Sequence, residues 1–225
     1  MFKAVAIDID GTLTDEKRRI DLETVELVRG VEAKNVPVIL ATGNILCFAE
    51  AASIFIGTSG PLIAENGGVV KTIHPERFYY FGDIEKVRKA FARLEEELGV
   101  RKVSGSDLRK TEIAIYRDFD ISEIRGVLEG FDVNIIDTKF AIHIKDPNVN
   151  KGLALREVAK LLKIDMRDIV AIGDSENDYE MLEYAGVGIS VGEKKLKEVS
   201  DFTTEKSFGE GGREALNYVI RLLSR

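Results

Sequence analysis

Asp8-Ile9-Asp10-Gly11-Thr12 places two carboxylates two positions apart, directly after the apolar run Ala4-Val5-Ala6-Ile7. Such a run reads as a buried parallel strand. In open α/β sheets, ligands bind outside the carboxyl ends of the strands, so acids at that place are candidates for chemistry. If the strand continued, both side chains would point the same way, and their repulsion would call for a shared cation or proton. Taken alone, Asp-x-Asp is also an ordinary polar loop start, and it suits metal-dependent glycosyl transfer as well.

A second acidic group, Gly173-Asp174-Ser175-Glu176-Asn177-Asp178, follows the apolar run Ile169–Ile172 and opens a helix. Asp174 and Asp178 are four apart and so lie near one helix face. Capping accounts for one acid at a helix start, but not for a cluster beside a strand end already carrying Asp8 and Asp10. Hard oxygen donors without nitrogen or sulfur suit Mg²⁺ rather than zinc. Thr42 ends another apolar run, with Gly43 allowing close backbone approach; the hydroxyl and nearby N–H groups could hold a phosphoryl oxygen or cap the next helix. Lys151 begins a helix, where a cation opposes the macrodipole unless an anion sits beside it.

Parallel strands alternating with helices must position these groups. The pattern predicts strands over Ala4–Ile7, Val36–Ala41 and Pro61–Ala64, a helix bearing Leu22, Val25, Val28 and Val31, and a largely buried helix from Ile45 to Ile56. The same style returns after Lys151, with helices over Gly152–Leu162, Asp178–Ala185 and Glu214–Leu223 and strands over Ile169–Ile172 and Val187–Val191. Between them, a charged helix (Ile84–Leu98), a short helix (Ile121–Leu128) and strands at Glu112–Tyr116, Val133–Ile136 and Phe140–Ile144 form a different unit. The last strand alternates, with Phe140, Ile142 and Ile144 on one face and Ala141 and His143 on the other. We expect an α/β fold: a Rossmann-like parallel-sheet core over 1–79 and 149–225, with a small α+β cap domain inserted over 80–148.

With 225 residues, 44% hydrophobic, the chain can bury a substantial core. Thirty-nine acidic residues against 32 Lys plus Arg give a formal charge of −7 and argue against a nucleic-acid or anionic-membrane binder. One cysteine excludes an internal disulfide, and two distant histidines disfavour a zinc site. No apolar run nears the roughly 20 residues of a membrane span, and the N-terminal apolar run is too short for a signal peptide. A cytoplasmic protein, monomer or homodimer, is expected. The absence of Trp and Gln beside abundant Glu, Lys and Arg fits a thermophile's composition. Cys47 and His74 read as structural, Cys47 buried in the second helix.

In order, Asp8-x-Asp10-Gly11-Thr12, Thr42, Lys151 and Gly173-Asp174-x₃-Asp178 resemble the four motifs of the haloacid dehalogenase-like hydrolase superfamily. The inserted unit lies between the second and third motifs, as in members with a type II cap. Chain length, the turn Glu65-Asn66-Gly67-Gly68 and the small cap look most like the archaeal phosphoglycolate phosphatases; Asn44 departs from the Arg that many capped relatives carry after Thr-Gly. The resemblance implies hydrolysis of a small-molecule phosphomonoester, 2-phosphoglycolate first among candidates. Asp8 would be the nucleophile that forms an aspartyl-phosphate, and Asp10 the acid and then the base. Asp8, the Asp10 carbonyl and Asp174 would hold Mg²⁺, with Asp178 beside it or bound; Thr42, Gly43, Asn177 and Lys151 would hold the phosphoryl oxygens.

A substrate carboxylate needs a donor, for which Arg109, Lys110, Lys139 and His143 are cap candidates, although solvated surface side chains are the usual reading. A phosphomutase would need a second phosphate site. A receiver-like phosphoacceptor would share the Asp cluster, Thr and Lys but has no use for Asp10.

Overall fold

The computed structural model describes residues 2–138, 140–192 and 194–224, which leaves the candidate Lys139 outside the described residues. The chain divides into two compact units, Met1–Tyr79 with Asn150–Arg225, and Tyr80–Val149. The first unit carries β1 (Ala4–Asp8), α1 (Leu22–Glu32), β2 (Val38–Ala41), α2 (Leu46–Ile56), β3 (Leu62–Ala64), β4 (Val69–Thr72) and β5 (Arg77–Tyr80). The second carries α3 (Ile84–Leu98), β6 (Glu112–Ile115), α4 (Ile121–Val127), β7 (Asn134–Asp137) and β8 (Ile142–Lys145). The first then resumes with α5 (Lys151–Leu162), β9 (Ile169–Gly173), α6 (Tyr179–Tyr184), β10 (Val187–Ser190), β11 (Phe202–Thr203) and α7 (Phe208–Leu222).

Eight strands form one sheet in the order β11-β10-β9-β1-β2-β3-β4-β5. From β11 to β3 the pairing is parallel, and β4 returns antiparallel on β3. Ile7 lies opposite Leu40 on one side and Ile172 on the other. The chain winds outward from β1 through β2 and β3, then comes back to place β9 on the opposite flank. That reversal makes the carboxyl end of β1 a topological switch point, where a ligand crevice forms in such sheets.

Strand alternation assigns the two faces. Val5 and Ile7 pack with Val38, Leu40, Val170 and Ile172 against Val25 and Val28 of α1 and Leu216 and Val219 of α7. Ala4, Ala6 and Asp8 point to the other face, where α5 and α6 bury Leu155, Val158, Met181 and Leu182. A Cβ on Gly152 would stand 2.5 Å from the Glu180 carbonyl carbon, so α5 and α6 touch there backbone to backbone. This close approach sets Lys151 beside the start of α6.

In the second unit, β6-β8-β7 form an antiparallel sheet. One face, with Ile113, Ile115, Ile142 and Ile144, packs on Val87, Phe91 and Leu94 of α3 and Ile124 of α4.

Two expectations change. The helix α2 is buried only along Ala49, Ser53 and Ile56, while Cys47, Phe48, Ile54 and Phe55 are exposed. A helix on the outer layer of a sheet buries one stripe, and an apolar composition does not change that. The helix α7 begins at Phe208, six residues earlier than its apolar pattern suggested, and runs through Gly209, Gly211 and Gly212.

Those glycines are spaces for neighbours. A Cβ at Gly212 would lie 2.1 Å from the Thr12 carbonyl oxygen, in the loop that follows β1. Gly→Ala inside a helix ordinarily gains up to about 1 kcal/mol. Here overpacking, about 1–3 kcal/mol, should win. Gly212→Ala is expected to lower stability in urea denaturation rather than raise it.

Candidate active site

At the switch point, the Lys151 ammonium sits between two carboxylates. It donates to Asp8 Oδ1 at 2.6 Å and to Asp178 Oδ1 at 2.7 Å, and all three residues are buried. Asn150 caps α5 by accepting from the Leu153 N–H, which leaves Lys151 as the first helical residue. The dipole cost of a cation there is offset by two anions at contact distance. Burial pushes the Asp8 carboxyl well above the usual carboxylate range; Lys151 opposes this, while the charges of Asp178, Asp174 and Asp10 add to it. Burial also disfavours charge on Lys151, but Asp178 and Asp8 together hold its ammonium above the ordinary lysine value.

Asp178 is not the start of a helical stripe. A 3₁₀ turn over Glu176–Asp178 precedes α6, and Asp178 Oδ2 folds back to accept from the backbone N–H groups of Asp174 and Ser175 at 3.1 and 3.2 Å. Both its oxygens therefore hold parts of the site in place.

Asp10 has separate partners. The strand stops at Asp8, and Gly11, at φ +94°, turns the backbone away, so the two carboxylates do not share one cation. Arg18 Nε donates to Asp10 Oδ1 at 2.7 Å, and Asn44 Nδ2 donates to Oδ2 at 2.6 Å. Neither residue was singled out as a site residue from the sequence. Arg18 sits on a short turn, bounded by the Thr14–Ile20 bridge, whose relation to Asp10 no local pattern encodes.

Thr42 is fully buried, and its Oγ1 accepts from the Asn44 N–H at 3.0 Å; α2 starts after Ile45 without a side-chain cap. The turn Glu65-Asn66-Gly67 locks this loop. Its Asn66 N–H donates to the Thr42 carbonyl, its Glu65 N–H donates to the Asn44 carbonyl, and Asn66 Oδ1 accepts from Asn177 Nδ2 at 3.0 Å. Asn66 also stands where a Cβ on Gly43 would fall, 2.8 Å from its Oδ1. Glu65 and Asn66 both hold positive φ, 51° and 54°, the kind of backbone cost that persists where surrounding structure enforces it.

Asp8, Asp174 and Asp178 can each offer a ligand atom, all within 4.8 Å of one another. Asp8 Oδ2 is buried without a hydrogen-bond partner. Three clustered carboxylates, hard oxygen donors without nitrogen or sulfur among them, fit a divalent cation.

A family model described as haloacid dehalogenase-like hydrolase matches residues 5–97 and 123–211. The chain belongs to the haloacid dehalogenase-like hydrolase family. A protein of Methanothermobacter thermautotrophicus described as phosphoglycolate phosphatase is 49% identical over 95% of this hydrolase and 97% of its own length. A protein of Archaeoglobus fulgidus with the same description is 46% identical over 96% of each chain. A crystal structure of a Thermoplasma acidophilum protein superposes with a TM-score of 0.89 at 26% identity, over 97% of this hydrolase and 98% of that chain. No helix among the described residues of the hydrolase is long and apolar enough to cross a membrane.

The remaining sequence candidates lie in the second unit. Arg109 and His143 are not solvated; their side chains are 7% and 6% exposed. Both engage Glu112 Oε1, Arg109 through Nη1 and His143 through Nδ1 at 2.8 Å. Glu112 and His143 share a sheet face because β6 and β8 pair Ala114 with His143 and Glu112 with Lys145. Lys110 is exposed.

Replacing Lys151 by Met should leave a folded hydrolase that has lost about 3–5 kcal/mol, because two buried carboxylates lose their cation. A carboxyl whose folded-state value is raised costs stability above that value and returns it as pH falls through it. The deficit against wild type, measured by urea denaturation in chelator, should therefore be largest at alkaline pH and shrink toward acid pH.

Proposed function

We propose that this hydrolase cleaves small phosphomonoesters through an aspartyl-phosphate, with 2-phosphoglycolate as the substrate that its relatives' descriptions favour. The observation that carries the reading is the asymmetry of Asp8. Lys151 fixes Oδ1, while Oδ2 is buried and unbonded at the carboxyl end of the central strand. One oxygen is anchored and the other is left to react.

In this reading Asp8 Oδ2 attacks phosphorus in line and the bond to the leaving oxygen breaks. Asp10 supplies the proton that the departing glycolate oxygen needs. The same carboxylate then takes a proton from water as that water attacks the phosphoryl group, restoring Asp8 and releasing phosphate. The Thr42 hydroxyl already accepts from the Asn44 N–H, so its own hydrogen can be donated to a phosphoryl oxygen. The Gly43 backbone and Asn177 supply further donors, and Lys151 the fixed positive charge.

Asp8, Asp174 and the Asp10 carbonyl would hold Mg²⁺, which when bound neutralises charge between the carboxylate and the phosphate dianion. Asp178, with both oxygens engaged, is assigned to holding Lys151 and the Asp174 loop. The second unit is assigned the role of a cap. Its Arg109 and His143 already meet a carboxylate in Glu112, which favours a structural role for that pair.

Asp8→Asn should fold normally and lose at least ~10³-fold in turnover of 2-phosphoglycolate, measured by phosphate release. Near-normal activity would overturn the mechanism. Asp174→Ala should raise the Mg²⁺ concentration needed for half-maximal activity, and chelation should stop wild-type turnover; full activity in excess chelator would refute the metal assignment.

A further inference from the structure

We propose that Asn44 is a positioning residue for both proton transfers of Asp10. This rests on the mechanism proposed above and names what holds its proton-transfer group in place. Asp10 lies two residues beyond the end of β1, past the last ladder pair, Asp8 with Ala41. The sheet therefore does not fix its side chain. Asn44 lies three residues beyond the same pair on the neighbouring strand, so the two loops leave the sheet side by side. Between them, Asn44 Nδ2 donates to Asp10 Oδ2 at 2.6 Å.

Asn44 is itself held at both of its backbone groups. Its N–H donates to Thr42 Oγ1 at 3.0 Å, and its carbonyl accepts from the Glu65 N–H at 2.9 Å. One residue thus ties Asp10 to the loop that carries Thr42 and Gly43. Arg18 also meets Asp10, but from a surface turn with 37% of its side chain exposed, where an ion pair fixes geometry weakly.

Helix α2 gives an independent indication. Its cap position is Ile45, which makes no side-chain cap. Asparagine is among the residues favoured for capping, because its side chain can satisfy a helix N–H. Asn44, one position earlier, turns its amide onto Asp10 instead. The helix start goes without a cap while the side chain suited to that task holds a carboxylate.

A proton-transfer group contributes only when it is held within reach of its target. In the first step Asp8 Oδ2 bonds to phosphorus, the ester P–O bond breaks, and Asp10 gives its proton to the leaving oxygen. In the second, the oxygen of water bonds to phosphorus, the Asp8–phosphorus bond breaks, and Asp10 takes a proton from that water. Nitrophenolate leaves as a stable anion, so with p-nitrophenyl phosphate the first step needs no proton. Only the second step then depends on how Asp10 is held.

The test assays wild type, Asn44→Ala, Asn44→Gln and Asp10→Asn with Mg²⁺ on 2-phosphoglycolate and p-nitrophenyl phosphate. Alanine keeps both backbone bonds at that position and removes only the donor to Asp10, so Asn44→Ala should fold. A placed acid supplies ~10²–10⁴-fold, and loosening it predicts a fall of about 10- to 100-fold in kcat/KM for phosphoglycolate. For p-nitrophenyl phosphate, kcat/KM should stay within about threefold of wild type while kcat and KM fall together. A burst of nitrophenolate should then precede the steady rate, because the aspartyl-phosphate accumulates. Asn44→Gln, which keeps an amide donor, should recover part of the loss on phosphoglycolate. Equal losses of kcat/KM on both esters, or no loss on either, would overturn the inference. If Asp10→Asn does not itself lose more on phosphoglycolate than on p-nitrophenyl phosphate, or wild type turns over neither ester, the mechanism proposed above falls and this inference with it.

Discussion

A buried ammonium clasped by two buried carboxylates is the constraint on which the rest depends. Lys151, Asp8 and Asp178 have left water almost completely, and none could do so alone. Removing one partner would strand the others, so three segments must arrive together: the end of β1, the start of α5 and the turn before α6. The local structure serves that meeting. Small Ala4 and Ala6 on the same face as Asp8 leave room for the helices, and Gly152 lets α5 approach α6. Gly67, at φ +100°, accommodates the Asn150 carbonyl, which would be 2.2 Å from a Cβ. Such an arrangement is weak evidence for stability and marks the cluster as a candidate site.

The two N-terminal acids have separate hydrogen-bond partners although they are two residues apart. Asp8 faces the buried cation, while Asp10 stands toward solvent between Arg18 and Asn44. Ending β1 at Asp8 and turning at Gly11 produces that separation. A continued strand would have aimed both carboxylates at one place and forced them to compete for one cation. Distinct partners let Asp8 keep a fixed geometry while Asp10 stays more accessible, the separation that the proposed division of labour between them would need.

Much of this was legible in the residues themselves. Continuous apolar runs marked β1, β2 and β9 because strands buried on both faces need apolar side chains throughout. The acids, Thr42 and Lys151 stood out because each follows such a run or opens a helix. What stayed hidden depends on distant segments. Arg18 and Asn44 look like ordinary loop residues until the fold sets them on Asp10, and Asn66 meets Asn177 across 111 positions. The first turns of α7 read as a glycine-rich loop because intrinsic propensity does not register a neighbouring carbonyl. Cys47 looked buried because apolar content was read as depth. Arg109 and His143 looked solvated because their shared partner, Glu112, is recognisable only from the register of β6 on β8.

The position of β1 between β2 and β9 has a consequence for how the protein is made. Asp8 and Lys151 lie 143 positions apart, and β9 follows later still. On the ribosome, β1 and β2 emerge and can pair early, but the flank that β9 will occupy then stands as an open sheet edge beside an acid with no cation. Both defects are closed by the same event, the docking of the returning α5–β9 segment. Assembly of the buried Lys151–Asp8–Asp178 cluster and closure of the sheet are therefore one late, long-range step, so a nascent chain cut short before it has neither a complete sheet nor that cluster.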